Sequence, residues 1–355
     1  MLFELNTLAR AQSTIAPGTG PSPFDLLRRK YLTQLADHTG RDTIVYATKW
    51  LEPNAAPLSP DSLSVVLGDV QAFMETCSNL TSRNLDLIIT SPGGDPTAAE
   101  SVMEYLRDRF DHIRAIIPVA AMSAATMMAM ACDEIVMGSH SQLGPIDPQI
   151  TVVTPEGPRQ APAQAILDQF ELAKSECQNP ANLGAWLPML RGLLPGLLTF
   201  CTDQQALSRT YAERWLTRYM LAPQGAVAAD LARQAAEFFT DYRNRGSHSR
   251  PIRRQEACDN HLVVIDLEDD QILQDAVLSV HHAVRHTLSG TAATKLVENQ
   301  FGRAYIESAQ TAMISMTPPT PVVPLPVAPP PDPRPGSPVR QIRPPGDSKR
   351  RGKKR

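Results

Sequence analysis

The stretch "LDLIITSPGGDPTAAE", residues 85–100, decides the fold. Its first six residues form an apolar run of strand length, rich in β-branched side chains. Its last six read as the opening of a helix, with Asp95 fitting the N-cap and Pro96 the first helical position. Between them stand Ser91, Pro92, Gly93 and Gly94. A helix cap needs no glycine. A Gly pair at a strand-to-helix junction makes either a tight turn or a place where backbone N–H groups face open space. There they can hold an anion or a developing negative charge.

On both sides of this stretch strands and helices alternate. "DTIVYATKW" (42–50) predicts a strand and "PDSLSVVLGDVQAFMETC" (60–77) a helix; after the quoted stretch, "IRAIIPV" (113–119) and "DEIVMG" (133–138) return to strand. Such alternation predicts an α/β fold, a parallel sheet covered by helices. Residues 163–240 read as helical, interrupted at "LPMLRGLLPG" (187–196), and a further helix fits 271–288. The expected organisation is a flexible lead over 1–30, one domain over 31–316 with a helical insertion at about 180–240, and a Pro-rich tail over 317–355.

The composition of the 355 residues, 42% hydrophobic and 20% charged, supports a sizeable core. The net charge of −3 is unevenly spread. Nine Lys/Arg fall between Arg334 and Arg355 against Asp332 and Asp347, so the tail carries +7 and the rest −10. A basic end, "KRRGKKR", suits an acidic partner or nucleic acid, or serves solubility alone. Five scattered cysteines without a CxxC argue against a disulfide framework or zinc ribbon and for a reducing, cytoplasmic setting. The N-terminal residues do not read as a signal peptide. The apolar run 116–132 is rich in Ala and Met, is interrupted by Pro118 and Ser123, and falls short of a membrane span.

Within that run Ser123 follows a strand and opens a helix. A hydroxyl there is either an N-cap or a nucleophile at the helix's positive end. "SPGGDP" followed some thirty residues on by "AAMSAATMMAMACDEIVM" resembles the Clp-protease/crotonase superfamily. The chain is more closely similar to the signal-peptide-peptidase-type serine peptidases, and within those to the serine dehydrogenase proteinase family. "SHSQLGPIDPQI" (139–150), "AILDQFELAK" (165–174) and "LEDDQILQDAVLSVHHAV" (267–284) carry the same resemblance, which covers about residues 40–305. It implies a Clp protease/crotonase-like fold of stacked ββα units with added C-terminal helices. It also implies an ATP-independent peptidase acting on peptide or protein substrates, and a homo-oligomer. Carried over, Ser123 is the nucleophile, and the N–H groups of Gly93 and Gly94 form the oxyanion hole. Despite the family's name, no GxGxxG follows a strand, so no dinucleotide cofactor is expected.

These motifs leave the base open. Ile146 and Asp147 stand where a Clp-type His is expected, so that triad does not carry over. Lys174 stands near the spacing of the signal-peptide-peptidase Lys; Ile166, Phe170 and Lys174 at i, i+4 and i+8 put it near an apolar helix face, where burial favours a neutral amine. His248 in "RGSHSRPI" is the rival base. Asp147, between Ile146 and Pro148, reads as a loop-shaping residue or as the group that orients a base. His282 and His286 have metal-compatible spacing, but no third ligand is evident. Two other readings are a crotonase-type acyl-CoA enzyme and a non-catalytic scaffold that binds polyanions through its basic tail.

Overall fold

Seven strands form the central sheet, in the spatial order 264–266, 134–137, 112–117, 84–90, 42–48, 293–299 and 304–308. A computed structural model describes residues 22–52, 58–154 and 157–309 of the chain. The sequence expectations for the tail (317–355) and for most of the lead therefore lie outside the described residues. Inside the expected lead, α1 (Pro23–Thr39) begins with a capping box between Ser22 and Asp25. It is followed by β1 (Asp42–Thr48), α2 (Asp69–Cys77), β2 (Asn84–Thr90), α3 (Pro96–Arg109) and β3 (His112–Ile117). Next come β4 (Ala120–Ala121), α4 (Ala124–Met130), β5 (Glu134–Met137), β6 (Gln142–Leu143), and the ribbon β7 (Gln149–Thr154) with β8 (Gly157–Pro162). The helical region is α5 (Ala163–Glu176), α6 (Leu183–Arg191), α7 (Leu197–Arg218) and α8 (Ala228–Thr240). The described chain closes with β9 (Ile252–Arg253), β10 (Val264–Asp266), α9 (Gln271–Gly290), β11 (Ala293–Asn299) and β12 (Ala304–Ser308).

Alternate side chains of the buried strands feed two cores. Ile44, Tyr46, Leu87 and Ile89 pack towards α2, α3 and α4. Val45, Ala47, Ile88, Ile116 and Val136 pack on the other face, against Val277, Val280 and Val284 of α9 and Leu32 and Leu35 of α1. Burial on both faces explains why these strands read as continuous apolar runs. Each fully buried Ile or Leu here contributes about 1.5–3 kcal/mol of transfer free energy.

Two expectations need correction. The sheet is mixed: β1, β2, β3, β5 and β10 run parallel, but β11 is antiparallel to β1, and β12 to β11. The helix expected over 60–77 is broken: a short helix Pro60–Leu63 ends, and α2 starts only at Asp69. In the gap Val65 donates to the Gly93 carbonyl (2.8 Å) and accepts from the Asp95 N–H (3.0 Å). Pairing with the Gly-Gly loop outweighs local helix propensity there. Among the described residues no helix is long and apolar enough to cross a membrane.

His281, 8% exposed on the sheet side of α9, gives the fold an acid sensitivity. Burial pushes its imidazole down to about 4, and the neighbouring His282, Arg285 and His140 add to the effect. The unfolded chain takes up a proton near pH 6.5 that the folded protein refuses until about 4, so stability falls as pH is lowered through that window. The displacement is worth about 3 kcal/mol. Urea unfolding at about pH 7.5 and about pH 4.5 measures this, and His281→Leu is expected to lose most of the difference. An equal loss in both proteins would place the acid sensitivity elsewhere.

Candidate active site

Ser123 occupies the turn between β4 and α4 with φ 52° and ψ −122°. Positive φ is costly for a residue with a Cβ, about 1–3 kcal/mol, and persists only when the surroundings impose it. Here they do. The Ser91 carbonyl accepts from the Met122 N–H (2.9 Å), and the Ser91 N–H donates to the Ala120 carbonyl (3.2 Å). The Thr126 hydroxyl donates to the Ala121 carbonyl (2.7 Å) and accepts from the Gly144 N–H (3.0 Å). The Ser123 hydroxyl makes no capping hydrogen bond, so the N-cap role open in the sequence is not the one adopted. A strained Ser at a strand-to-helix turn has the backbone arrangement of an elbow that can expose its hydroxyl to a cleft.

Gly93 lies directly against this elbow. A Cβ on it would stand 2.4 Å from the Met122 oxygen, 2.7 Å from the Ala124 nitrogen and 2.8 Å from Ser123 Cβ, and its φ is +94°. The glycine is therefore required by close approach and by backbone conformation together. Its N–H is donated to Ser91 Oγ at 3.1 Å. Gly94 sits between the two Val65 hydrogen bonds, in a parallel bridge that turns its own N–H and C=O away from residues 64–66. Ala124 is the first residue of α4, so its N–H has no partner within the helix.

A cleft of about 770 Å³ is lined by Ser123, Gly93, Gly94, Asp147 and His248, with Val65, Met127, Ile146, Ile150 and Phe200 among its apolar walls. β6 and β9 bring the last two polar groups together. Leu143 pairs with Ile252 antiparallel, with Asp147 four residues after the one and His248 four residues before the other. His248 Nδ1 lies 2.7 Å from Asp147 Oδ1. Asp147 is 3% exposed, its other oxygen accepts from Gln149 Nε2 (2.8 Å), and the Ile146 N–H is anchored on the Phe239 carbonyl (2.8 Å). An imidazole held at Nδ1 by a buried carboxylate leaves Nε2 for a proton to be abstracted. Among the described residues the hydrogen bond of the His248 ring is to Asp147, and none joins it to Ser123.

Lys174 is elsewhere. Its ammonium is bonded to both Glu171 oxygens (3.0 and 2.8 Å), its side chain is 57% exposed, and it does not line the cleft. The burial expected for it is absent because the inward line of α5 is Ala163, Ile166 and Ala173, and Lys174 lies one position past that line. Asp147 is the group whose chemical placement its sequence context understates. Thiol chemistry is disfavoured at the buried Cys77 and Cys132, where burial pushes both thiols up to about 12.

A family model described as ClpP-like SDH-type serine proteinase matches residues 73–179. That span holds Gly93, Gly94, Ser123, Asp147 and Lys174, and leaves His248 outside. Two uncharacterized proteins of Methanocaldococcus jannaschii are similar to parts of the chain. One is 38% identical over 86 residues, 24% of this chain and 27% of that protein. The other is 42% identical over 68 residues, 19% of this chain and 24% of that protein. The matches thus span about a quarter of the length of these relatives. Among solved structures, a variant of the 1510-N membrane-bound stomatin-specific protease superposes with a TM-score of 0.33 and 11% identity, over 58% of this chain and 77% of that one. Over residues 73–179, which carry the Gly-Gly loop and the Ser123 elbow on a Clp-protease-like α/β fold, the chain matches the ClpP-like SDH-type serine proteinases that its sequence resembles.

Proposed function

We propose that the protein is a serine peptidase in which Ser123 attacks, His248 carries the proton, and Asp147 orients and stabilises the imidazole. The observation that carries this reading is the 2.7 Å contact of His248 with buried Asp147 in the cleft that holds the strained Ser123. Attack of Ser123 Oγ on a peptide carbonyl sends the hydroxyl proton to His248 Nε2 and forms a tetrahedral oxyanion. The Gly94 and Ala124 N–H groups are the donors left to receive it, with the Gly93 N–H available if it releases Ser91 Oγ. His248 then protonates the leaving amine, and water hydrolyses the acyl-enzyme by the same route in reverse. A crotonase-type acyl-CoA enzyme would need the backbone donors but neither the strained serine nor the oriented imidazole.

The substrate is a peptide or protein segment that enters the cleft past Ile150 and Phe200. A homo-oligomer belongs to the same reading, supported by α6, which has no buried residue and exposes Leu183, Leu187 and Met189. The cytoplasm is the proposed setting, since all five cysteines are free. Attraction of an acidic partner or nucleic acid by the basic end rests on its sequence alone. Fluorophosphonate labelling with site identification by mass spectrometry tests the nucleophile. The label is expected on Ser123 and is lost in Ser123→Ala. Label retained in that variant, or found on Ser91 or Ser208, would overturn the assignment.

A further inference from the structure

The Gly-Gly loop is held from behind by a buried polar cluster that the chemistry above does not use. Lys295 on β11 is fully buried; its Nζ donates to Asp69 Oδ1 (2.7 Å) and to the Ser64 carbonyl (2.8 Å). Asp69, 2% exposed at the start of α2, accepts from the Tyr46 hydroxyl (2.8 Å) and from the Val66 N–H (3.0 Å) through Oδ2. Residues 64 and 66 are thus fixed by a Lys–Asp pair, one on each side of Val65. Val65 in turn holds the Gly93 carbonyl and the Asp95 N–H, which flank Gly94. From the other side, the Ser91 hydroxyl lies beside the Tyr46 phenol and accepts the Gly93 N–H (3.1 Å). Glu307 stands 3.9 Å from Lys295 at the edge of the cluster.

Charges in a fully buried pair are costly to desolvate, and an apolar pair of similar volume would often serve stability as well. This pair does something an apolar pair could not: it presents one donor and one acceptor to consecutive stretches of the segment that clamps Gly94. We infer that Lys295, Asp69 and Tyr46 are positioning residues for the oxyanion site, acting through Ser64–Val66 and Ser91 on the aim of the Gly94 N–H. This rests on the serine-peptidase reading. It predicts a defect confined to the transition state, because a donor that moves off the oxyanion position leaves ground-state binding intact.

The test uses the double variant Lys295→Met/Asp69→Asn. It removes both charges together, so no uncompensated buried charge remains, yet it takes the donor from the Ser64 carbonyl. Hydrolysis of a p-nitrophenyl ester is followed in the full-length protein, with Ser123→Ala as the control for the underlying reading. If wild-type turnover does not depend on Ser123, that reading fails, whatever the double variant does. Given Ser123-dependent turnover, the double variant is expected to lower kcat about 10- to 100-fold with KM within about threefold. Affinity for a peptide aldehyde, whose adduct places an oxyanion at the same donors, should fall in proportion to kcat/KM. A folded double variant with kcat within about twofold of wild type, or with the loss carried by KM, overturns the inference. If the double variant does not fold, Tyr46→Phe decides. It removes one hydroxyl from the cluster and should lower kcat several-fold with KM retained; an unchanged kcat overturns the inference.

Discussion

His248→Ala and Asp147→Asn are each expected to lower kcat by about 10³- to 10⁴-fold, while Lys174→Ala leaves it within about twofold. On the proposed reading the imidazole takes the Ser123 proton: it lines the same cleft, and its Nδ1 already contacts Asp147. Asp147→Asn keeps the size of the side chain but turns a buried carboxylate into an amide. The amide stabilises no imidazolium and can hold the wrong tautomer. A 10⁴-fold loss is about 5.5 kcal/mol of transition-state stabilisation. Lys174 has nothing comparable at stake, because its ion pair with Glu171 is exposed, and exposed pairs contribute about 0–1 kcal/mol. Steady-state hydrolysis of an ester by the three variants, with thermal unfolding as a control for folding, tests the assignment. Loss of turnover in Lys174→Ala with retention in His248→Ala would return the base to Lys174.

The difference between these two candidate bases shows what the sequence can and cannot carry. Lys174 is attractive for a local reason, its spacing from Ile166 and Phe170 along one helix. That spacing leaves the helix's rotation about its axis free by one position, and Glu171, on the same face one turn back, draws the ammonium outward. His248 and Asp147 are 101 residues apart, and neither has a local signal. They meet because the two-residue strands β6 and β9 pair, and strands that short leave almost no alternation to read. The strands β1, β2, β3 and β5 are legible because parallel strands buried on both faces are plainly apolar. β11, "ATKLVEN", is not. It is buried throughout, yet carries Lys295 and Glu298 inward, each neutralised by a tertiary partner: Asp69 for the lysine and Arg28 (2.6 Å) for the glutamate. A charge that looks solvated in one dimension is buried in three when its partner comes from a distant segment. Gly93 and Ser123 are legible for the opposite reason, since both sit at junctions where residue type answers to backbone shape.

Gly93→Ala is expected to abolish turnover, by about 10³-fold or more, while the sheet still folds. The added methyl would meet the Met122 oxygen at 2.4 Å and the Ala124 nitrogen at 2.7 Å, both backbone atoms that cannot rotate away. Relief requires either the Gly93–Gly94 loop or the Ser123 elbow to shift. On the proposed reading each movement separates the nucleophile from its oxyanion donors, and an error of about 1 Å costs about 100-fold in such sites. The φ of +94° adds strain of about 1–3 kcal/mol, which lowers the unfolding free energy by a similar amount. Gly184→Ala supplies the contrast. That glycine lies in α6, and a methyl group added to it would meet nothing within 4 Å, so the substitution should raise helix stability by about 0.5–1 kcal/mol and leave turnover alone. The rate of fluorophosphonate labelling at Ser123, measured beside the melting temperature of each variant, separates the two effects. A Gly93→Ala protein that melts slightly lower and labels at the wild-type rate would mean that the loop does not touch the chemistry. A protein that stays folded and labels at least a hundredfold more slowly, about the loss of one oxyanion donor, would mean that the close approach of Gly93 to Ser123 is what the Gly pair is for.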